Sequence, residues 1–277
     1  MFRMPANVIT ALQAISRYHF QDLSQFSDSY KIGINSVGSR FEEYIKDLLT
    51  GKVYSSSLDR KKAYNEEYAW LGNPNFPPDA IAKSGDAFEI KKHERSASVI
   101  PLNSSPPRDM LYSDDSKITN GCKASLGYKW DMLDLFYIVG TVYGTKVKSI
   151  YFVQGRCYAA SRHIYAKIAE KVSESMNNSG LEYSKTSELG RVNRADPLGR
   201  ASLRIRGMWQ MVDPSRAFYD VAPLNPEKDF IAYAIMEEKK YNSFGIVPDG
   251  VFVRNAEIQD PNNPAKAMQA KVLEVSW

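Results

Sequence analysis

The stretch 77–94, Pro-Pro-Asp-Ala-Ile-Ala-Lys-Ser-Gly-Asp-Ala-Phe-Glu-Ile-Lys-Lys-His-Glu, constrains this chain more than any other. Ser84-Gly85 between two β-capable runs favours a chain reversal, so the stretch reads as a hairpin. Side chains alternate between the faces of a strand. Ala87, Glu89 and Lys91 therefore share one face, while Phe88 and Ile90 turn the other way, toward a core. Asp79 precedes Glu89 by a separation that a hairpin closes. Two carboxylates and one ammonium then converge. Asp86 and Lys92 fall on the opposite face, where Asp86 is expected to cap the turn and Lys92 to lie at the surface.

Such a set can hold a divalent metal and a water. Mg²⁺ takes hard oxygen ligands and keeps several waters, so one or two carboxylates suffice. Asp79 and Glu89 supply them, and the backbone carbonyl of Ile90 is a further oxygen. A metal there polarises a phosphoryl group and lowers the pKa of its bound water. Lys91 orients that water, or serves as a base if its own pKa falls. His93 lies one pleat beyond Lys91 and reads as structural or phosphate-contacting. An acidic-x-Lys triplet alone is usually a surface pair on an exposed strand. The aspartate at hairpin distance and the alternating apolar residues lift this one above chance.

The chain before the hairpin reads as two helices. Apolar residues at helical spacing mark 8–20. In the second, Asn35 or Ser36 is the cap, Phe41, Ile45, Leu48 and Leu49 form one stripe, and Gly51 ends it. Glu42 sits at the edge of that stripe, either as a solvated flank residue or as a third acid leaning over the hairpin. Glu43 is the neighbouring alternative. The charged stretch 59–67 is expected to be exposed, 69–71 to begin a strand and 72–75 to turn. The Pro- and Ser-rich 100–107 reads as a loop, followed by polar, irregular chain to 120. Strands are expected at 134–142 and 148–153, a helix at 161–176, and a boundary at Asn177-Asn178-Ser179-Gly180. Beyond it, strands are expected at 201–206, 230–236 and 267–275. Trp209 is expected in the core.

This order suits an α/β (α+β) fold with a mixed central sheet flanked by helices. We divide it into a catalytic core, 1–180, and a sheet-completing recognition region, 181–277, not an independent domain. The 43% apolar and 25% charged residues are ordinary for a globular protein. No apolar run approaches the roughly 20 residues that span a bilayer. Two cysteines, Cys122 and Cys157, leave no thiolate metal cluster and are expected as free thiols of a cytoplasmic protein.

A net charge of +4 says little, but its distribution says more. The segment 190–216 carries Arg191, Arg194, Arg200, Arg204, Arg206 and Arg216 against two acids, Asp196 and Asp213. A guanidinium takes guanine O6 and N7 together, or grips a phosphate with two hydrogen bonds. On a strand, Arg204 and Arg206 would share a face. Asn193 reads adenine or holds a loop. Ser104, Ser105, Arg108 and Lys117, downstream of the hairpin, are second candidates for DNA contact. The bland reading is a basic surface paired with carboxylates elsewhere.

Pro78-Asp79 … Glu89-x-Lys91 resembles the PD-(D/E)xK signature of a nuclease superfamily. The segments 41–49, 71–79, 85–92, 102–105, 114–119, 188–198, 203–209 and 261–265, in order, resemble the NgoPII family of type II restriction endonucleases. The first 35 residues match least. The resemblance implies a restriction-endonuclease-like core with an irregular C-terminal DNA-recognition part. It implies Mg²⁺-dependent cleavage of double-stranded DNA at a short GC-rich palindrome, GGCC for the family's namesake. By that pattern Asp79 and Glu89 are metal ligands, Lys91 is the catalytic lysine, and Glu42 is the acid on the preceding helix. A palindrome cut on both strands favours a homodimer. A DNA methyltransferase is expected in the same cell, not as a stable partner. The competing readings are a structure-specific or repair nuclease on the same core and an idle DNA-binding module. A methyltransferase, suggested by Asn73-Pro74-Asn75-Phe76, lacks the second proline and a Gly-rich cofactor loop.

Overall fold

Asn7 starts the first helix by accepting a hydrogen bond from the Thr10 N–H, and His19 ends it in the left-handed conformation. In this computed structural model, which describes residues 5–26, 36–72, 76–94, 99–103, 105–186 and 189–277, that helix (α1, Val8–Tyr18) packs beside α2 (Ser36–Leu49). The stripe of Phe41, Ile45, Leu48 and Leu49 on α2 is fully buried. Ser36 is the first helical residue, Asn35 lies outside the described residues, and Gly51 follows at φ +84. The charged stretch expected to be merely exposed forms α3 (Ser57–Glu67), capped by Ser56. Its buried residues are Ala63 and Glu67 alone, so no apolar stripe announces it.

Three strands follow: β1 (Tyr68–Trp70), β2 (Ala80–Ala82) and β3 (Ala87–His93). The supposed loop at 100–107 begins as a strand, β4 (Val99–Asn103). Pro101 is tolerated there because β4 lies in a two-stranded ribbon rather than in the main sheet. The chain continues through β5 (Met110–Tyr112), α4 (Asn120–Ala124), β6 (Met132–Tyr143), β7 (Lys146–Gln154), α5 (Gly155–Tyr158) and α6 (Arg162–Asn177). It ends with β8 (Tyr183–Ser184), β9 (Gly190–Val192), β10 (Leu203–Ile205), β11 (Trp209–Val212), α7 (Pro214–Ala217), β12 (Ile231–Glu237), α8 (Glu238–Ser243), β13 (Phe252–Asp260) and β14 (Asn263–Ser276).

The main sheet runs β1-β2-β3-β6-β7-β12-β14-β13, with β5 also paired to β6. The β3–β6 and β7–β12 pairs are parallel and the rest antiparallel, so the sheet is mixed, as expected. β12, β13 and β14, from the second part of the chain, complete it. Both faces of its centre are covered, which is why β6 reads as a near-continuous apolar run. On one face α1 and α2 close over Phe88, Ile90, Phe136, Ile138 and Phe152. On the other, Ala87, Tyr137 and Val139 lie under Ile100, Leu102 and Met211. Gly140 lets α2 come this close, since a Cβ there would stand 2.0 Å from the Phe41 ring. The β9–β10 strands with β8 form a separate three-stranded sheet, and β11 pairs with β4.

Candidate active site

The hairpin forms as the sequence requires. Gly85 takes φ +99 at its turn, and Ala80 pairs with Phe88 and Ile81 with Ala87. The pairing stops at Ala80, so β3 runs on past the end of β2. The Asp79 N–H still donates to the Phe88 carbonyl, at 3.0 Å. Its carboxylate then replaces the missing strand: Oδ2 accepts a hydrogen bond of 2.6 Å from the Ile90 N–H. In a strand the N–H and C=O of one residue project to the same edge, so the Ile90 carbonyl lies on the Asp79 side of β3.

Glu89 and Lys91 share the face of Ala87, opposite Phe88 and Ile90, which enter the core with α2. Lys91 Nζ stands 2.6 Å from Glu89 Oε1, both largely enclosed. Burial, and next the charge of Glu89, push the Asp79 carboxyl up to about 7. Burial works against the charge of Lys91, but Glu89 and Asp79 outweigh it and hold that ammonium above its usual value. Lys91 is thus a firm cation here, and the base role weighed for it needs positive charge added beside the carboxylates.

Glu42 and Glu43 part company. Glu43 Oε1 lies 2.7 Å from Arg60 Nη1, toward α3. Glu42 is half exposed, and its charge acts on both Asp79 and Lys91. It is held by Lys46, one turn on, at 2.5 Å. Lys46 Nζ also donates to the Leu71 carbonyl at 3.4 Å. Next to Leu71, Gly72 presses on Asp79: a Cβ there would come 2.6 Å from the Asp79 carbonyl oxygen, and φ is +84. Lys46 and Gly72 thus shape the site, although Lys46 is not among the expected site residues and Gly72 is expected only to turn the chain. The signals were present, as an i,i+4 Glu–Lys pair and a glycine in the 71–79 segment.

Among the described residues, no three acidic, histidine or cysteine side chains form a ready-made metal cage. The donor set nevertheless fits a hard, water-retaining ion such as Mg²⁺. It offers two carboxylates and a main-chain carbonyl on the same edge, in surroundings where burial and next the charge of Glu89 raise the Asp79 carboxyl.

Asp86 and Lys92 depart from expectation. Asp86 does not cap the turn. It is buried, and its Oδ1 lies 2.5 Å from Lys240 Nζ, which also stands 3.0 Å from Asp134 Oδ2. Lys92 is only partly exposed and pairs with Glu94 at 3.1 Å. His93 Nε2 lies 3.3 Å from Asp213 Oδ2.

Of the expected DNA contacts, Arg191, Arg194, Arg204 and Arg206 are exposed. Arg194 lies 3.9 Å from Glu182 at a positive φ of 49. The strand bearing Arg204 ends at Ile205, before Arg206, and its register sets Arg204 opposite Arg191. The side-by-side forks are therefore Arg191 and Arg204, a cross-strand pair that needs the β9–β10 pairing to be seen. Asn193 takes the second of its expected roles, donating to Ser184 Oγ at 3.1 Å across the loop. Arg108 contradicts its expected role. It is buried, its Nε donates to Asp115 Oδ2 at 2.8 Å, and its backbone N–H donates to the Tyr137 hydroxyl at 2.8 Å. Held by these two contacts, it braces the fold rather than facing DNA. Ser105 is half-buried in a turn to the Leu102 carbonyl, and the backbone of half-buried Lys117 donates to Asp115. Ser104 lies outside the described residues. Trp209, the first residue of β11, is partly buried and packs against the core.

A family model described as NgoPII restriction endonuclease matches residues 6–254. The chain belongs to the NgoPII restriction endonuclease family. Type II restriction enzyme NgoPII of Neisseria gonorrhoeae is 39% identical over 248 residues, 86% of this chain and 88% of the relative. No solved structure matches. Membership in the NgoPII family makes the chain a site-specific endonuclease, with an α+β core of the expected kind. Among the described residues, no helix is long and apolar enough to cross a membrane.

Proposed function

We propose that the chain is a Mg²⁺-dependent type II restriction endonuclease that cuts both strands of DNA at a short GC-rich palindrome, GGCC being the first to test. The observation that carries the reading is the junction of Asp79 with β3. A half-buried carboxylate grips the backbone of the very strand that presents Glu89 and Lys91. Asp79, Glu89 and the Ile90 carbonyl would hold the metal. When bound, Mg²⁺ supplies charge neutralisation at the scissile phosphate and a more acidic water.

The chain's own groups do the rest. Lys91, enclosed and firmly protonated, balances charge on the phosphate and orients the attacking water by hydrogen bonding. Glu42, steadied by Lys46, adds negative charge beside Asp79 and Lys91 without joining the strand. Arg191 and Arg204 project together from one face of the small three-stranded sheet, where a guanidinium can take guanine O6 and N7 or grip a phosphate. Arg194 and Arg206 lie beside them for phosphate or base contact. Two copies related by a two-fold axis would treat the two strands of a palindrome alike. The enzyme would act in the cytoplasm, its host DNA protected by a separate methyltransferase.

Digestion of a plasmid of known sequence with Mg²⁺, followed by sequencing of the cut ends, tests the reading. Discrete fragments ending at one palindrome are expected. Cleavage confined to branched or damaged DNA would transfer the chain to the repair class. No cleavage with any divalent ion would leave a binding protein.

A further inference from the structure

The arginine-bearing sheet hangs on the rest of the fold by two stalks, the end of α6 and the start of β11. The second leads toward the candidate site. β10, with Arg204, runs through three residues into β11, which pairs antiparallel with β4. That ribbon lays Ile100, Leu102 and Met211 over Ala87, Tyr137 and Val139, on the face that carries Glu89 and Lys91. The Val212 carbonyl accepts a hydrogen bond from the Tyr158 hydroxyl. The Tyr158 ring stands edge-on to Tyr137 at 5.5 Å, and Tyr137 is the β6 residue opposite Glu89.

Immediately after β11 the chain returns to β3 itself. Asp213 Oδ2 lies 3.3 Å from His93 Nε2, with the two side chains 5% and 11% exposed. The contact is close but out of line for a hydrogen bond. The other oxygen, Oδ1, accepts from the Ser215 N–H at 2.9 Å and from its hydroxyl at 2.6 Å, and so caps α7. That cap is complete without His93. The imidazole contact therefore does something other than start a helix: it ties the end of the arginine segment to the strand of Glu89 and Lys91.

We propose that His93 and Asp213 are positioning residues that register the arginine sheet against β3, so that the enzyme's discrimination between its own sequence and near matches depends on their contact. This rests on the restriction-endonuclease reading above. Forks seated on the right bases hold β11, and through Asp213 hold β3. A mismatch that leaves a fork unseated shifts the same stalk and with it the strand that presents Glu89 and Lys91. Packed chains of groups with discrete arrangements carry coupling of this kind.

The test uses full-length His93→Leu, His93→Gln, Asp213→Asn and the double variant His93→Leu/Asp213→Asn. Asparagine keeps an oxygen for the Ser215 cap. Single-turnover cleavage with Mg²⁺ is measured on a duplex holding the site read from wild-type plasmid ends, and on duplexes altered at one base pair. Binding and melting temperature are followed in parallel. His93→Leu and Asp213→Asn should each slow cleavage of the enzyme's own site about tenfold and narrow its lead over altered sites, with affinity and melting nearly unchanged. His93→Gln should recover part of the loss, and the double variant should be no worse than either single. Rates and discrimination within about twofold of wild type would overturn the proposal. So would losses that multiply in the double variant, or an equal loss on every duplex accompanied by a lower melting temperature. A wild-type protein that cuts nothing would remove the underlying reading too, and that control separates the two failures.

Discussion

Two hairpins of this protein are built in opposite ways. β2–β3 lies within the main sheet, with core on both faces of β3 and its charged groups locked to one another or to the backbone. β9–β10 belongs to a small outlying sheet that sets Arg191 against Arg204 and leaves Leu203 57% exposed. Like charges directly opposed on two strands cost stability, and an exposed leucine gains none. The first hairpin is finished without a partner. The second carries exposed guanidinium groups and an exposed leucine, which in the reading proposed above a DNA partner covers. Rigidity suits groups that must meet a phosphate within fractions of an ångström, and openness suits groups that must first enter a groove.

The comparison breaks most visibly at the finished hairpin. Lys91→Ala or Asp79→Ala should lower cleavage by about 10²–10⁴-fold while binding to the site persists. Wild-type rates in single-turnover assays would remove these residues from the chemistry. The other end of the hairpin should break by unfolding. Lys240→Met leaves Asp86 and Asp134 without their shared cation and should cost about 3–5 kcal/mol in urea denaturation. A loss far below that would mean that the aspartates find water or protons at little cost.

The open hairpin should respond in the reverse sense. Arg191→Ala or Arg204→Ala should weaken site-specific binding by about 1–3 kcal/mol, with thermal stability held or slightly raised. Equal weakening on unrelated duplexes, in binding assays at several salt concentrations, would make these phosphate contacts instead. Between the two extremes, Glu42→Gln should slow cleavage about tenfold. Glu43→Gln, which loosens the Arg60 contact, should leave the rate alone, and equal effects of the two would undo their separation.

The smallest effect concerns acid. Burial opposes the charge of Asp213, yet the His93 contact and the Ser215 cap outweigh it and hold its carboxyl below the usual 3.8. A depressed carboxylate pKa gives stability that is present above that value and lost as pH falls through the lower one. Asp213→Asn should therefore flatten the stability profile below about pH 4. An unchanged acid limb in pH-dependent melting would show that Asp213 titrates no differently in the folded and unfolded chain.

Local pattern made much of this legible. Alternation placed Glu89 and Lys91 on one face, Ser84-Gly85 marked the turn, and the stripe on α2 was read residue by residue. Periodicity failed at α3, whose buried surface is too small to leave a stripe, and at β4, where Pro101 and the Pro- and Ser-rich residues that follow resemble a loop until β11 pairs with the strand. Arg108 looked like a surface cation because its sequence neighbours are polar. Its burial and its contact with Tyr137 of β6 lie beyond the reach of that local pattern.

The sequence by itself determined the hairpin, the face of its charged groups and the family, since these depend on neighbours within a few residues or on ordered matches along the chain. The tertiary structure decided which acid of α2 turns to the site, that Lys240 rather than the turn claims Asp86, that Arg191 faces Arg204, and that His93 meets Asp213. Each of those outcomes is a contact between segments far apart in the chain. Such contacts are set by sheet register and packing, which no local spacing encodes.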